Sequence, residues 1–114
     1  MPAYAIAHLR DPKPGHPEVL EYMERIDATL APHSGRFLVH GGATDVLEGS
    51  WPGATVVIEF PDLAAARAWY DSPAYRAILR LRTDHIPGDT ILVDGVGPGH
   101  TAAGKAAGIR AAAE

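Results

Sequence analysis

The residue with the clearest potential for chemistry is Glu59, a carboxylate inside the otherwise apolar segment 56–60. A carboxylate among apolar neighbours either has a partner or is disfavoured in its charged form, and a carboxyl of the second kind beside a cavity is a candidate general base. The sequence therefore leaves two interpretations of Glu59 open. It is a general base beside a cavity, or it is one member of a structural ion pair in a sheet.

Two histidines, His8 and His40, fall within segments that we predict to be strands. An imidazole can act as an acid or a base, or it can simply be a hydrogen-bonded residue of the sheet. Together with Glu59 they are the candidate catalytic residues. The same three side chains could in principle converge on a metal ion, but no His-x-His spacing supports such a site. We expect neither a metal nor a cofactor.

The candidate substrate-binding residues begin with a cation and two glycines. Arg36 can bind an anionic group, or it can pair with Glu59 or Glu48. Gly41 and Gly42 interrupt a long predicted strand and, across a simple hairpin, would lie almost opposite Glu59. Their missing side chains would either leave room for a ligand or form a bulge that bends the strand.

Three aromatic residues complete the substrate-binding candidates. Trp69 and Tyr70 are adjacent in a predicted helix, where they either pack against the sheet or line a pocket. In the pocket interpretation, Tyr4 of the first predicted strand would contribute a hydroxyl group. Core packing is the better interpretation of Trp69, and that of Tyr70 stays open.

The composition excludes several classes of function. The chain has 114 residues, no cysteine and a formal net charge of -4 with no basic cluster. Thiol chemistry is therefore impossible, and a nucleic-acid partner is not expected. No apolar run approaches the roughly 20 residues that span a bilayer, and no signal peptide is visible, so we expect a cytoplasmic protein without a membrane partner. The abundance of Ala, Gly, Arg and Pro is typical of a high-GC bacterial source.

Hydrophobic periodicity predicts four strands and two helices. The predicted strands cover residues 3–9, 36–47, 55–60 and 90–94. The first helix begins at Pro17 and ends near Ala31. The second is capped by Asp62, restarts at Ser72 and Pro73, and ends near Arg82. We divide the chain into a domain over residues 1–95 and a Gly/Ala-rich extension over residues 96–114.

The element order β-α-β-β-α-β predicts an α+β, ferredoxin-like fold with a four-stranded antiparallel sheet and two helices on one face. The strands have no clearly polar face, so the second face of the sheet also needs a cover. We expect a second copy of the chain to provide it in a homodimer.

Several motifs of this chain resemble an uncharacterised bacterial family, the domain-of-unknown-function family 1330 of the dimeric α/β-barrel superfamily. The matching residues are Tyr4 and the segments 35–38, 41–42, 46–51, 59–60, 68–70 and 72–75. The resemblance covers residues 2–95 and implies a homodimer whose two sheets pack face to face into a barrel. It implies no particular activity, because the superfamily includes cofactor-free monooxygenases, isomerases and small-molecule binders.

Two functions are compatible with these features. In the first, each subunit has one small pocket for a partly apolar molecule, with or without cofactor-free proton transfer, isomerisation or oxygenation. Glu59 would then be the base and His8 or His40 its proton partner, while Arg36 and Tyr4 would orient the substrate. In the second, the protein is a non-catalytic binding or structural dimer module. The sequence does not decide whether the protein is an enzyme.

Overall fold

The computed structural model describes residues 1–113, and within them it contains four strands and four α-helices. In chain order these are β1 (Ala3–Leu9), α1 (Pro17–Leu30), β2 (Arg36–His40), β3 (Ala54–Phe60), α2 (Leu63–Tyr70), α3 (Pro73–Thr83), β4 (Gly88–Asp94) and α4 (Ala102–Ala112). A short 3-10 turn, Ala31–His33, follows α1.

The four strands form one sheet in the order β2-β3-β1-β4, and every neighbouring pair is antiparallel. The predicted ferredoxin-like α+β fold is confirmed. The predicted second helix is split into α2 and α3, because Ser72 caps a new helix and Pro73 occupies its first turn. Asp62 caps α2 as predicted, its side chain accepting a hydrogen bond from the backbone N–H of Ala65.

The helices α1, α2 and α3 cover one face of the sheet. Alternation along the strands sends one set of side chains toward these helices and the other set away from them. Ala5, Ile58 and Phe60 belong to the first set and pack with Trp69 and Ile78 of the helices. The second set forms what we call the open face, which comprises Tyr4, Ile6, His8, Arg36, Val39, Thr55, Val57, Glu59, Asp89, Ile91 and Val93.

Aromatic side chains join the helices to the sheet. The ring of Trp69 lies 5.3 Å from that of Phe60 and 4.1 Å from that of Tyr75, measured between centroids. All three side chains are buried. Full burial of a large apolar side chain contributes about 1.5–3 kcal/mol, so this cluster supplies much of the stability of the helix-to-sheet contact.

The second strand is shorter than predicted. It ends at His40, and Gly41 turns the chain away with a φ of 69°. Residues 41–53 form an exposed connection to β3 rather than a continued strand. The predicted position of Gly41 and Gly42 opposite Glu59 is wrong, because the backbone N–H of Gly41 bonds to the carbonyl of Thr55 at the far end of β3.

A bulge in β2 lies before these glycines, not at them. Phe37 pairs with Ile58, and Val39 pairs with the next residue of β3, Val57, so Leu38 is an extra residue. An extra residue in a strand reverses the side to which every later side chain points. His40 therefore lies on the helix side of the sheet.

Gly53, directly before β3, is required by a close backbone approach. Its φ is 88°, and a Cβ atom built on it would lie 1.9 Å from the carbonyl oxygen of Leu9. Only glycine avoids this overlap. The chain can therefore enter β3 directly beside the end of β1.

The extension after β4 contains the helix α4. Thr101 caps it, and none of its residues is buried. The division of the chain near residue 95 stays a prediction. No helix within residues 1–113 is both long and apolar enough to cross a membrane.

Candidate functional site

A pocket of about 340 Å³ lies between the helix-side face of the sheet and the helices α1 and α3. This volume falls at the small end of the range of about 300–1,000 Å³ that is usual for ligand sites. Small side chains create the space, since Ala5 and Ala7 of the central strand β1 lie on its floor. Most of the wall is apolar, with contributions from Val19, Met23, Ile26, Val56 and Ile58.

Three polar side chains form a cluster in the wall of this pocket, and we call Tyr22, Tyr75 and Arg82 the Arg82 cluster. The hydroxyl oxygens of Tyr22 and Tyr75 lie 2.7 Å apart. The Nη2 atom of Arg82 donates to the Tyr75 hydroxyl over 3.5 Å, and the guanidinium carbon lies 5.7 Å from the ring centroid of Tyr22.

The helices explain how these residues meet. Tyr75 and Arg82 are seven residues apart in α3, which places them on the same face of the helix two turns apart. Tyr22 faces them from α1. Arg82 is only 7% exposed, although arginine is almost never so deeply buried without a partner.

The cluster has a defined charge. Burial by itself lowers the pKa of Arg82, but the neighbouring oxygens of Tyr75 and Tyr22 outweigh it and hold the pKa above the ordinary value. Burial, with a smaller contribution from Tyr75, raises the pKa of the Tyr22 hydroxyl well above its usual range. Near neutral pH the pocket wall thus combines one guanidinium cation with a protonated Tyr22 hydroxyl.

Trp69 lines the same pocket as an apolar surface. Its indole N–H donates to the hydroxyl of Thr29 over 3.0 Å, and both residues are buried. The Thr29 hydroxyl in turn donates to the carbonyl of Ile26. The polar edge of the indole is therefore already satisfied, and the ring is left to contact a ligand.

His40 and Gly41 lie at the edge of the pocket. The bulge at Leu38 turns His40 to this side, where its ring stacks on Phe37 with 4.3 Å between centroids. His40 is exposed, so its imidazole can contact both solvent and the pocket. Of the three candidate catalytic residues, it is the one that contributes to the pocket wall.

Glu59 and Arg36 lie on the open face, away from the pocket. The Nε and Nη2 atoms of Arg36 are each 2.8 Å from Oε1 of Glu59. The Glu59 side chain is 24% exposed and that of Arg36 is 70% exposed, so the pair contributes little to stability. This is the arrangement expected from the structural interpretation of Glu59, and its assignment as a base stays a prediction. Tyr4 lies directly across from Glu59 on β1.

His8 also lies on the open face, but at the other end of the sheet. Its Nε2 atom is 2.6 Å from the carbonyl oxygen of Pro52, and its ring stacks on Trp51 with 4.1 Å between centroids. It pairs with Thr55, four residues before Glu59, whereas His40 is on the opposite face. The possibility that His8, His40 and Glu59 converge on one metal ion is therefore wrong. Within residues 1–113 no group of three His, Asp or Glu side chains could hold a metal ion.

The two other candidates lie outside the pocket. Tyr70 lines a shallow groove between α2 and β4, and the guanidinium carbon of Arg76 lies 4.7 Å from the centroid of its ring. Gly42 is exposed, and a Cβ atom built on it would meet nothing within 4 Å. Only Trp69 and Gly41 among the substrate-binding candidates face the pocket.

Sequence reasoning missed the Arg82 cluster altogether. A signal was present, because Arg82 continues the apolar stripe of α3 that contains Tyr75 and Ile78. A charged residue on the buried face of a helix needs a hydrogen-bonding or oppositely charged partner, because burying an unpaired charge is costly. The contribution of Tyr22 could not be found in the same way, because it depends on how α1 and α3 pack.

Comparison with known proteins agrees with this fold. Residues 2–96 match the family described as domain of unknown function (DUF1330). The chain belongs to this family. The resemblance noted from the sequence motifs is thereby confirmed. No curated protein is significantly similar in sequence to this chain.

Solved structures with this fold come from several bacteria. A protein of unknown function from Rhodopseudomonas palustris is 17% identical, with a TM-score of 0.65 over 85% of this chain and 84% of that protein. A dimeric ferredoxin-like protein of unknown function from Jannaschia sp. CCS1 is 14% identical, with a TM-score of 0.62 over 83% of this chain and 100% of that one. A dimeric protein with a ferredoxin-like fold from Bacteroides fragilis is 17% identical, with a TM-score of 0.52 over 82% and 96%.

Proposed function

We propose that this member of the DUF1330 family binds a small, partly apolar organic molecule in the pocket between its helices and its sheet. The observation that carries the proposal is the mostly apolar pocket of about 340 Å³ with the Arg82 cluster in its wall. Ligand sites typically combine such an apolar wall with a few converging polar groups.

We further infer that the protein works as a homodimer joined through the open face. Ile91 is 54% exposed and Val39 is 41% exposed in the single chain, although both belong to strands. Apolar side chains on one sheet face favour a cover, and an isologous contact between two copies is the simplest one. The Jannaschia and Bacteroides fragilis proteins, which share the fold, are described as dimeric.

Catalysis is a second candidate, and the position of His40 favours it. An imidazole at the edge of a ligand pocket can exchange a proton with a bound substrate. Glu59 would need a substrate on the open face, where its carboxylate is already paired with Arg36. An isomerase or oxygenase activity of the pocket should therefore be lost in His40→Asn and kept in Glu59→Gln. The opposite result would restore Glu59 as the base.

Filling the pocket tests the binding function. Ala7→Leu adds a larger side chain to the pocket floor, whereas Ala28→Leu makes the same change on an exposed position of α1. Binding of benzoate and benzyl alcohol can be followed by tryptophan fluorescence, because Trp69 lines the pocket. We expect Ala7→Leu to weaken binding of both compounds and Ala28→Leu to leave it unchanged. Equal binding by the two variants would contradict the proposed site.

The oligomeric state is tested by sedimentation equilibrium at micromolar concentration. Ile6→Lys places a charge in the middle of the open face, and Ala28→Lys places one on exposed α1. We expect a dimer for the unchanged protein and for Ala28→Lys, and a monomer for Ile6→Lys. A monomeric unchanged protein would refute the inferred dimer without affecting the pocket.

A further inference from the structure

Among residues 1–113, the guanidinium group of Arg82 is the one buried charged group, and it lacks a counterion there. It is 93% buried, as its 7% exposure implies, and no carboxylate within residues 1–113 forms an ion pair with it. An uncompensated buried charge costs several kcal/mol in stability. Its position over the ring of Tyr22 offsets a part of this cost through a cation–π contact.

The guanidinium also keeps donors available. A guanidinium has five N–H donors, and one of those of Arg82 bonds to the hydroxyl of Tyr75. Among the described residues, no enclosed side-chain nitrogen or oxygen lacks a partner. Any N–H group of Arg82 that has no partner is therefore not fully enclosed. Because Arg82 lines the pocket, such an N–H group is accessible to a molecule bound there.

The two phenols add one more donor. Tyr22 and Tyr75 together have two hydroxyl hydrogens, and their mutual hydrogen bond uses only one of them. Neither hydroxyl donates to any other acceptor within residues 1–113. The pocket wall therefore presents a cation and a hydroxyl donor side by side, with no anionic acceptor nearby. Such a set of donors is complementary to a carboxylate.

We propose that the pocket is selective for organic acids that have one carboxylate on a compact apolar or aromatic body, with the carboxylate bound by Arg82 and the Tyr22–Tyr75 pair. This assignment rests on the proposed binding function and specifies its ligand class. The body of the acid lies against the apolar wall formed by residues such as Ala7, Val56 and Trp69.

The charge of the wall favours a carboxylate over a phosphate ester. Arg82 is the only Lys or Arg side chain that lines the pocket in the described part of the chain. A phosphate monoester carries nearly two negative charges at neutral pH. One cation in an otherwise apolar wall would leave part of that charge buried and uncompensated, which is costly.

The test compares benzoate with its neutral isostere benzamide and with phenyl phosphate, using titration calorimetry at constant ionic strength. We expect benzoate to bind at least about tenfold more tightly than benzamide, because a charge-assisted hydrogen bond is lost in the amide. Phenyl phosphate should bind more weakly than benzoate. Equal binding of benzoate and benzamide, or tighter binding of phenyl phosphate, would overturn the proposal.

Variants of α3 locate the charge that is responsible. Arg82→Met removes the guanidinium and keeps an unbranched apolar side chain, and Arg80→Met removes an exposed guanidinium from the same helix. We expect Arg82→Met to weaken benzoate binding by about 10- to 100-fold with benzamide binding unchanged. Arg80→Met should bind both compounds like the unchanged protein. Full benzoate affinity in Arg82→Met would refute the assignment.

Two further results keep the test decisive. If circular dichroism shows that Arg82→Met is unfolded, Arg82→Lys takes its place, since it keeps the charge but loses the planar donor pair. Weaker benzoate binding by Arg82→Lys would support the proposal, and unchanged binding would contradict it. Failure of the proposed function has a separate signature, which is that neither benzoate nor benzamide binds the unchanged protein and that Ala7→Leu has no effect.

Discussion

Replacing Tyr22 by phenylalanine should change how the stability of the protein depends on alkaline pH. Burial raises the pKa of the Tyr22 hydroxyl in the folded protein, whereas in the unfolded chain it has the ordinary value of 10.0. Above that pH the unfolded state releases a proton that the folded state retains. The free energy of unfolding therefore falls as the pH rises through 10.0 and keeps falling toward the pKa of the folded state.

The size of the effect follows from proton linkage. A fully developed difference of one proton costs about 1.4 kcal/mol per pH unit. At the pKa of the unfolded state half of the phenol is already ionised, so the loss between about pH 10 and about pH 11 amounts to about 1 kcal/mol. The charged and titratable groups that face the Tyr22 hydroxyl are Arg82 and Tyr75, and both stay in place in Tyr22→Phe.

Urea unfolding of both proteins at a series of alkaline pH values measures this difference. We expect the unchanged protein to lose about 1 kcal/mol more than Tyr22→Phe between about pH 10 and about pH 11. Subtracting the two curves removes the contributions to the pH dependence that the two proteins share. Parallel curves would show that Tyr22 ionises in the folded protein and that its hydroxyl is not held in the buried cluster.

Three further predictions concern stability. Thr29→Val removes the acceptor of the buried Trp69 N–H, so we expect a loss of about 1–3 kcal/mol in urea unfolding; Trp69→Phe combined with it in a double-mutant cycle should show that most of this loss depends on the indole. Gly53→Ala should destabilise the protein by more than about 1 kcal/mol, because its Cβ would overlap the carbonyl of Leu9, and a thermal midpoint equal to that of the unchanged protein would contradict this. Removing residues 97–114 should change the free energy of unfolding by less than about 0.5 kcal/mol, since α4 buries nothing, and a larger loss would show that the extension packs on the domain.

The order of elements could be predicted because each signal was local. Pro17, Asp62, Ser72 and Pro73 mark helix starts by their own backbone and side-chain chemistry, and the structure places the helices there. The end of β2 was not predictable in the same way. Continuing a strand through Gly41 is compatible with sequence periodicity, and only its positive φ shows that the chain leaves the sheet there.

The candidate site shows a sharper limit. Placing His40 with Glu59 assumed strict alternation along β2, and the single extra residue Leu38 turns His40 to the other face. Arg82 could have been singled out from the stripe of α3, but its lack of a counterion depends on every chain segment around it. That property exists only in the folded protein, where α1 brings Tyr22 rather than a carboxylate to it.

The single sheet separates two surfaces that can change independently. Along β1, Ala5 and Ala7 set the volume beneath the helices, while Ile6 between them belongs only to the opposite side. Substitutions at every second strand position can thus alter the shape of the pocket. Substitutions at the intervening positions can alter the open face instead. A scaffold with this partition can change the residues of one surface without changing those of the other.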